Sequence, residues 1–147
     1  SQKGIDIHCE VETGNKVPFL PRFGLRMFVS KAFEKVSYYG YGPYESYIDK
    51  HQASYMGNFE AKVSEMHEDY IFTHPDGFSF NASKYTQEEL AAKRHNFELE
   101  ECGQHVLCVD YKMAGVGSNS CGPQLAQKYR LPLPKFEADF HMTIEKL

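Results

Sequence analysis

The chain has 147 residues, the size of one domain, and at this length folding buries roughly 68–70% of the unfolded surface, so a core forms without disulfide staples. Hydrophobic residues make up 41% and charged residues 24%, which excludes a disordered or collagen-like chain, and no apolar run approaches the ~18 residues that a membrane-spanning helix needs. Sixteen basic residues against 20 acidic ones give a net charge of −4, without the basic surplus of a nucleic-acid binder.

The opening Ser1-Gln2-Lys3-Gly4 has neither an initiator Met nor an apolar signal region, and reads as a cut from a longer protein. Period-two alternation then runs from end to end, and the many aromatics (ten Tyr, eleven Phe, no Trp) suit pleated, half-buried surfaces. Ile5, Ile7, Cys9 and Val11 alternate with Asp6, His8, Glu10 and Glu12. Leu25, Met27 and Val29 form a second run, and Val36 and Tyr38 oppose Ser37 and Tyr39 in a third. A weak turn of helix is expected near His51–Met56. Phe78, Phe80 and Ala82 make a short strand. Thr86 with Glu89 three residues on is a capping-box signature, so one short helix is expected over Leu90-Ala91-Ala92-Lys93. Phe97 and Leu99 interleave with Glu98 and Glu100. Val106 to Met113 carries apolar groups on both faces, as an inner strand does. Leu125, Tyr129 and Leu131 alternate with polar positions. The clearest run is Phe136, Ala138, Phe140, Met142 and Ile144 against Glu137, Asp139, His141, Thr143 and Glu145.

Roughly eight or nine short strands, each with one apolar face, must bury those faces against a second sheet. The predicted fold is all-β: a two-sheet antiparallel sandwich with one short helix, a single domain over 1–147. Cys9, Cys102, Cys108 and Cys121 show no C-x-x-C pair and no zinc spacing, and are expected to be reduced thiols in a cytoplasmic protein. His8, His105 and His141 stand on strands with no second histidine beside them and are expected at the surface rather than on a metal.

Three segments break the alternation: Leu20-Pro21-Arg22-Phe23-Gly24-Leu25, the tyrosine-rich stretch Tyr38 to Lys50, and the glycine-rich stretch Ala114 to Pro123. Tyr39, Tyr41, Tyr44 and Tyr47 could stack on sugar rings or simply pack within a loop. Glu45 and Asp49 could cap backbone amides, pair with Arg22 or Lys50, or bind a cation. The glycine-rich stretch lacks the G-K-[ST] ending of a phosphate loop. Cys121 has no identifiable base, so it is read as lining a pocket rather than attacking a substrate. These residues alone carry the reading no further than a β-sandwich with a possible sugar affinity.

In this order, the three segments resemble the C-terminal β-sandwich domain of glycoside hydrolase family 2 β-galactosidases, a region that forms the small subunit in two-chain enzymes. The specific part is Gly42-Pro43-x-Glu45-x-Tyr47-x-Asp49 after Leu20-Pro21-Arg22-x-Gly24-Leu25; Phe80-Asn81-Ala82-Ser83-Lys84-Tyr85 agrees. The resemblance implies a sandwich similar to galactose mutarotase, the supersandwich form. It implies a parent that hydrolyses terminal β-galactosides with retention, using two carboxyl groups roughly 5–5.5 Å apart. In the family those carboxyls and a magnesium site lie on a barrel domain, so no catalytic residue and no cofactor is expected within this chain. Its expected partners are the remaining domains or large subunit and a galactoside, in an oligomeric parent. The glycine-rich segment of the family reaches toward the aglycone, which makes Asn119, Ser120 and Cys121 the candidate substrate contacts. Many relatives carry a Trp where Cys121 stands, and a thiol does not cover a sugar face. A second departure lies at Ile71-Phe72, where relatives continue into a further turn and strand, so a segment is expected to be missing there. A free-standing carbohydrate-binding module is the alternative. A mutarotase-like epimerase would need a His base and a Glu acid in one cleft.

Overall fold

The computed structural model describes residues 4–14, 17, 19–43, 47, 52–66, 79–114 and 126–143. Among these residues, seven strands and one helix follow in order: β1 (Gly4–Glu12), β2 (Arg22–Val29), β3 (Lys35–Gly42), β4 (Tyr55–Lys62), β5 (Ser79–Ser83), α1 (Gln87–Ala92), β6 (His105–Met113) and β7 (Lys135–Thr143). All pairings are antiparallel. β1 pairs with β7, β3 with β4, and β6 sits between β2 and β5. The all-β sandwich expected from the alternation is present.

The inward positions explain the layering. On one face of the three-stranded sheet, Phe80, Ala82, Leu107 and Val109 meet Val36, Tyr38 and Ala61 of the β3–β4 ribbon, with Val63 and Met66 sealing the cluster. Tyr38 anchors it, its ring 4.7 Å from Phe80 and 5.3 Å from Phe59. At the other end of the same sheet, Phe23 and Tyr111 meet Phe136, Ala138, Cys9 and Val11 of the β1–β7 ribbon. Phe136 lies edge-on to Phe23 and parallel to Tyr111. The two ribbons thus share one three-stranded partner, and aromatic contacts do much of the packing in this tryptophan-free chain.

The helix covers the opposite face of the sheet. Thr86 Oγ1 accepts from the Glu89 amide at 3.1 Å, as the capping signature predicts. The Glu89 carboxylate does not close the box on Thr86; it accepts from the Glu100 amide at 2.9 Å and ties the helix to the next loop. Gln87 Nε2 donates to the buried Cys108 Sγ, and Arg26 Nη1 donates to the Glu88 carboxylate.

Four sequence expectations need correction. Residues 55–62 form a strand where a turn of helix was expected near His51–Met56; residue 51 lies outside the described residues. Phe97–Leu99 is not a strand, because Asn96–Glu98 close one 3-10 turn in which the Glu98 carboxylate accepts from the Arg94 and His95 amides. Within Leu125–Leu131, residues Gln127–Tyr129 also form a 3-10 turn. His105 is buried, 2% exposed, rather than on the surface, whereas His8 and His141 are exposed as expected. Cys9, Cys102 and Cys108 are free thiols; Cys121 lies outside the described residues.

Candidate functional site

The antiparallel pairing of β2 with β6 sets Arg22 opposite Met113, so the Leu20–Leu25 motif lies where the glycine-rich segment begins. The Ala114 amide donates to the Pro21 carbonyl at 2.8 Å and closes this junction. A register shift falls between Phe23 and Gly24: Phe23 faces Lys112 and Gly24 faces Asp110, which leaves Tyr111 as the extra residue of a bulge. The bulge turns the Tyr111 ring onto Phe136. It also brings the strands so close at position 24 that a side chain there would collide with the Val109 carbonyl and the Asp110 carboxylate. Glycine is the residue that this approach permits.

A two-point ion pair fixes the junction. Arg22 Nε donates to Asp110 Oδ1 at 3.1 Å, and Nη2 donates to Oδ2 at 2.6 Å. The Asp110 side chain is 4% exposed and that of Arg22 34%. Planar guanidinium and carboxylate match in this fork, so the pair sets direction as well as distance. Among the described residues the partner of Arg22 is Asp110; Glu45, Asp49 and Lys50, whose capping, pairing or cation-binding roles the sequence left open, lie outside the described residues. Asp110 escaped the sequence reading, although one carboxylate within the otherwise inner Val106–Met113 run was a usable sign of a buried partner.

A cleft beside this junction is lined by Arg22, Gly24, Arg26, Gln87, Cys108 and Asp110. Arg26 is paired with Glu88 at 2.6 Å. Each holds the other in its charged form: the Glu88 hydrogen bond pushes the guanidinium up, and Arg26 pulls the Glu88 carboxyl below its ordinary range. Both cations in the cleft thus have an anionic partner, which disfavours a charged substrate. Asp110 is the buried carboxylate among the described residues, and it is engaged by Arg22. Nothing here pairs a free acid with a free base. No group of three or more His, Cys, Asp or Glu among the described residues is placed to hold a metal ion.

Asn119, Ser120 and Cys121 lie outside the described residues, as do Tyr44 and the Ile71-Phe72 junction. The structure brings the first motif and the root of the third together. Of the four tyrosines singled out in the second motif, Tyr39 and Tyr41 share the outer face of β3, opposite the core-facing Tyr38, while Tyr47 is buried. A His–Glu pair does exist. His105 Nε2 lies 3.1 Å from Glu34 Oε2, and Ser64 Oγ donates to Glu34 Oε1 at 2.6 Å. The Ser64 hydrogen bonds, seconded by His105, draw the Glu34 carboxyl below its ordinary range. With the His105 side chain 3% exposed, the pair braces β6 against the 30–34 loop and offers a sugar no access to the imidazole.

No helix among the described residues is long and apolar enough to cross a membrane. The profile of the "Beta galactosidase small chain" family matches residues 1–144. The chain is 42% identical to a β-galactosidase of Actinobacillus pleuropneumoniae over 97% of its length, and 35% identical to one of Staphylococcus xylosus over 94%. A β-galactosidase of Vibrio cholerae is 28% identical over 96%. In each case the chain spans only 16% of the relative. The first two alignments run over 162 positions against 147 residues here, so these relatives carry residues without a counterpart in this chain. The chain belongs to the β-galactosidase small-chain family.

Proposed function

We propose that this chain is a non-catalytic β-sandwich domain of a cytoplasmic, oligomeric β-galactosidase that hydrolyses terminal β-galactosides with retention. The family match across residues 1–144, at one sixth of the length of the relatives, is the observation that carries this reading. The acid/base and nucleophile carboxyls, with the magnesium, belong to the remainder of the enzyme or its large subunit. The sandwich supports that remainder and sends out the glycine-rich segment, in which Asn119, Ser120 and Cys121 touch the aglycone. The Arg22–Asp110 fork and the Ala114–Pro21 hydrogen bond set the direction in which that segment leaves β6. With Cys121 in place of an aromatic, the contact is a narrow polar one, without ring stacking.

The test is made in the complete β-galactosidase polypeptide that carries this sequence. Asn119→Ala and Ser120→Ala are expected to raise KM for lactose more than for a nitrophenyl galactoside, whose aglycone differs, with kcat for hydrolysis of the galactosyl-enzyme unchanged. Equal kinetics for both substrates in both variants would make the segment purely structural. The exposed Tyr39 favours a second reading, a free-standing carbohydrate-binding module. Calorimetry of the 147-residue chain with galactose and lactose separates the two: the domain reading expects no heat of binding.

A further inference from the structure

The outer face of the β3–β4 ribbon divides into two chemically different halves. Cross-strand partners share a face, so Lys35 with Lys62, Ser37 with Glu60, Tyr39 with Asn58 and Tyr41 with Met56 form one ladder. The first half is charged and self-satisfied: Lys35 reaches Glu60 at 2.6 Å and Ser37 donates to the same carboxylate. The second half holds no charge. Tyr39 is 65% exposed, Met56 is 47% exposed, and Tyr41 and Asn58 flank them. The inner face of the same ribbon packs on the Val63–Phe80 cluster, and Tyr39 and Met56 lie exposed on the side away from it.

We propose that the Tyr39–Tyr41–Met56–Asn58 half-face docks the remaining polypeptide of the β-galactosidase, a proposal that rests on the function given above. Its composition is that of an interface centre, rich in Tyr and Met and free of Lys and Glu, bordered by a charged rim. Three observations select this occupant. Relatives carry about five sixths of their length outside the region matched here, so a partner surface exists for a domain of this kind. The outward side chains of this half of the strand pair are uncharged, with Tyr39 and Met56 exposed to solvent, which suits an uncharged protein surface. The Tyr39 phenol and the Asn58 amide supply hydrogen bonds at fixed points, as a specific contact between protein surfaces uses them. The surface that fits is apolar and uncharged opposite Met56, with polar groups opposite Asn58.

Hydroxyl-radical footprinting of Tyr39 and Met56 tests this in the 147-residue chain and in the complete polypeptide. Reactivity follows exposure, so burial at an interface centre is expected to slow Tyr39 oxidation about fivefold in the complete polypeptide. An active enzyme in which Tyr39 and Met56 react as fast as in the short chain would overturn the docking surface and leave the function standing. A complete polypeptide that hydrolyses no galactoside would overturn the function itself. Protection in the short chain that grows with its concentration would assign the face to a second copy. Protection by lactose would assign it to sugar.

Discussion

Replacing Arg22 with Ala deprives the buried Asp110 carboxylate of a two-point partner. Removing one member of a fully buried pair costs about 3–5 kcal/mol. Arg22 keeps a third of its side chain in water, which lowers the expected loss to about 2–4 kcal/mol. In a domain of this size that is a fall in Tm of about 5–12 °C. Urea unfolding of the 147-residue chain, followed by circular dichroism, reads it as a lower midpoint at constant m. Arg22→Lys is expected to recover only part, since an ammonium cannot match both carboxylate oxygens. Combining Arg22→Ala with Asp110→Ala is expected to cost less than the sum of the single changes, because the second change removes the stranded charge. Additive losses, or an Arg22→Ala midpoint within error of the parent, would refute the fork as the anchor of the β2–β6 junction.

Gly24→Ala places a methyl group against the Val109 carbonyl and the Asp110 backbone, neither of which is a flexible chain end, so a loss of about 2–4 kcal/mol is expected in the same unfolding assay. Phe136→Ala removes the ring shared by Phe23 and Tyr111 and should cost about 3–5 kcal/mol; a loss below 1 kcal/mol would mean that the β1–β7 ribbon packs otherwise. His8 titrates above the ordinary histidine value because Asp139 accepts its hydrogen bond and adds its charge, with Glu137 and Glu10 helping. Its contribution to stability is therefore complete below that ordinary value and is lost as pH rises through the folded midpoint. NMR titration should show that midpoint moving down in Asp139→Asn, and an unmoved midpoint would contradict the pairing.

The legible part of the fold is the part in which side chains alternate strictly. β7 and β1 announce themselves because every second residue is apolar and the intervening ones are polar or charged, and Cys9, Val11, Phe136, Ala138 and Phe140 from the apolar sets pack together. β6 was readable as an inner strand because both of its faces are covered, one by the ribbons and the other by α1. β4 was hidden because Met56 and Asn58 point outward while Gly57, on the inner side, brings no side chain to the pattern. The short alternation at Phe97–Leu99 misled because a local carboxylate-to-amide turn outcompeted strand pairing. Strand order was beyond reach, since nothing local tells β6 that its neighbours are β2 and β5. The same holds at the junction. Three motifs could be marked from their composition, but the pairing of Arg22 with Asp110, 88 positions apart, depends on the register of two strands and on one bulge.

The most direct test is galactoside turnover by the folded 147-residue chain alone. With the reactive carboxyls residing elsewhere, o-nitrophenyl β-galactoside is expected to stay intact in its presence, while the complete polypeptide cleaves it. Release of nitrophenol by the purified short chain, at a rate that scales with its concentration, would contradict the account.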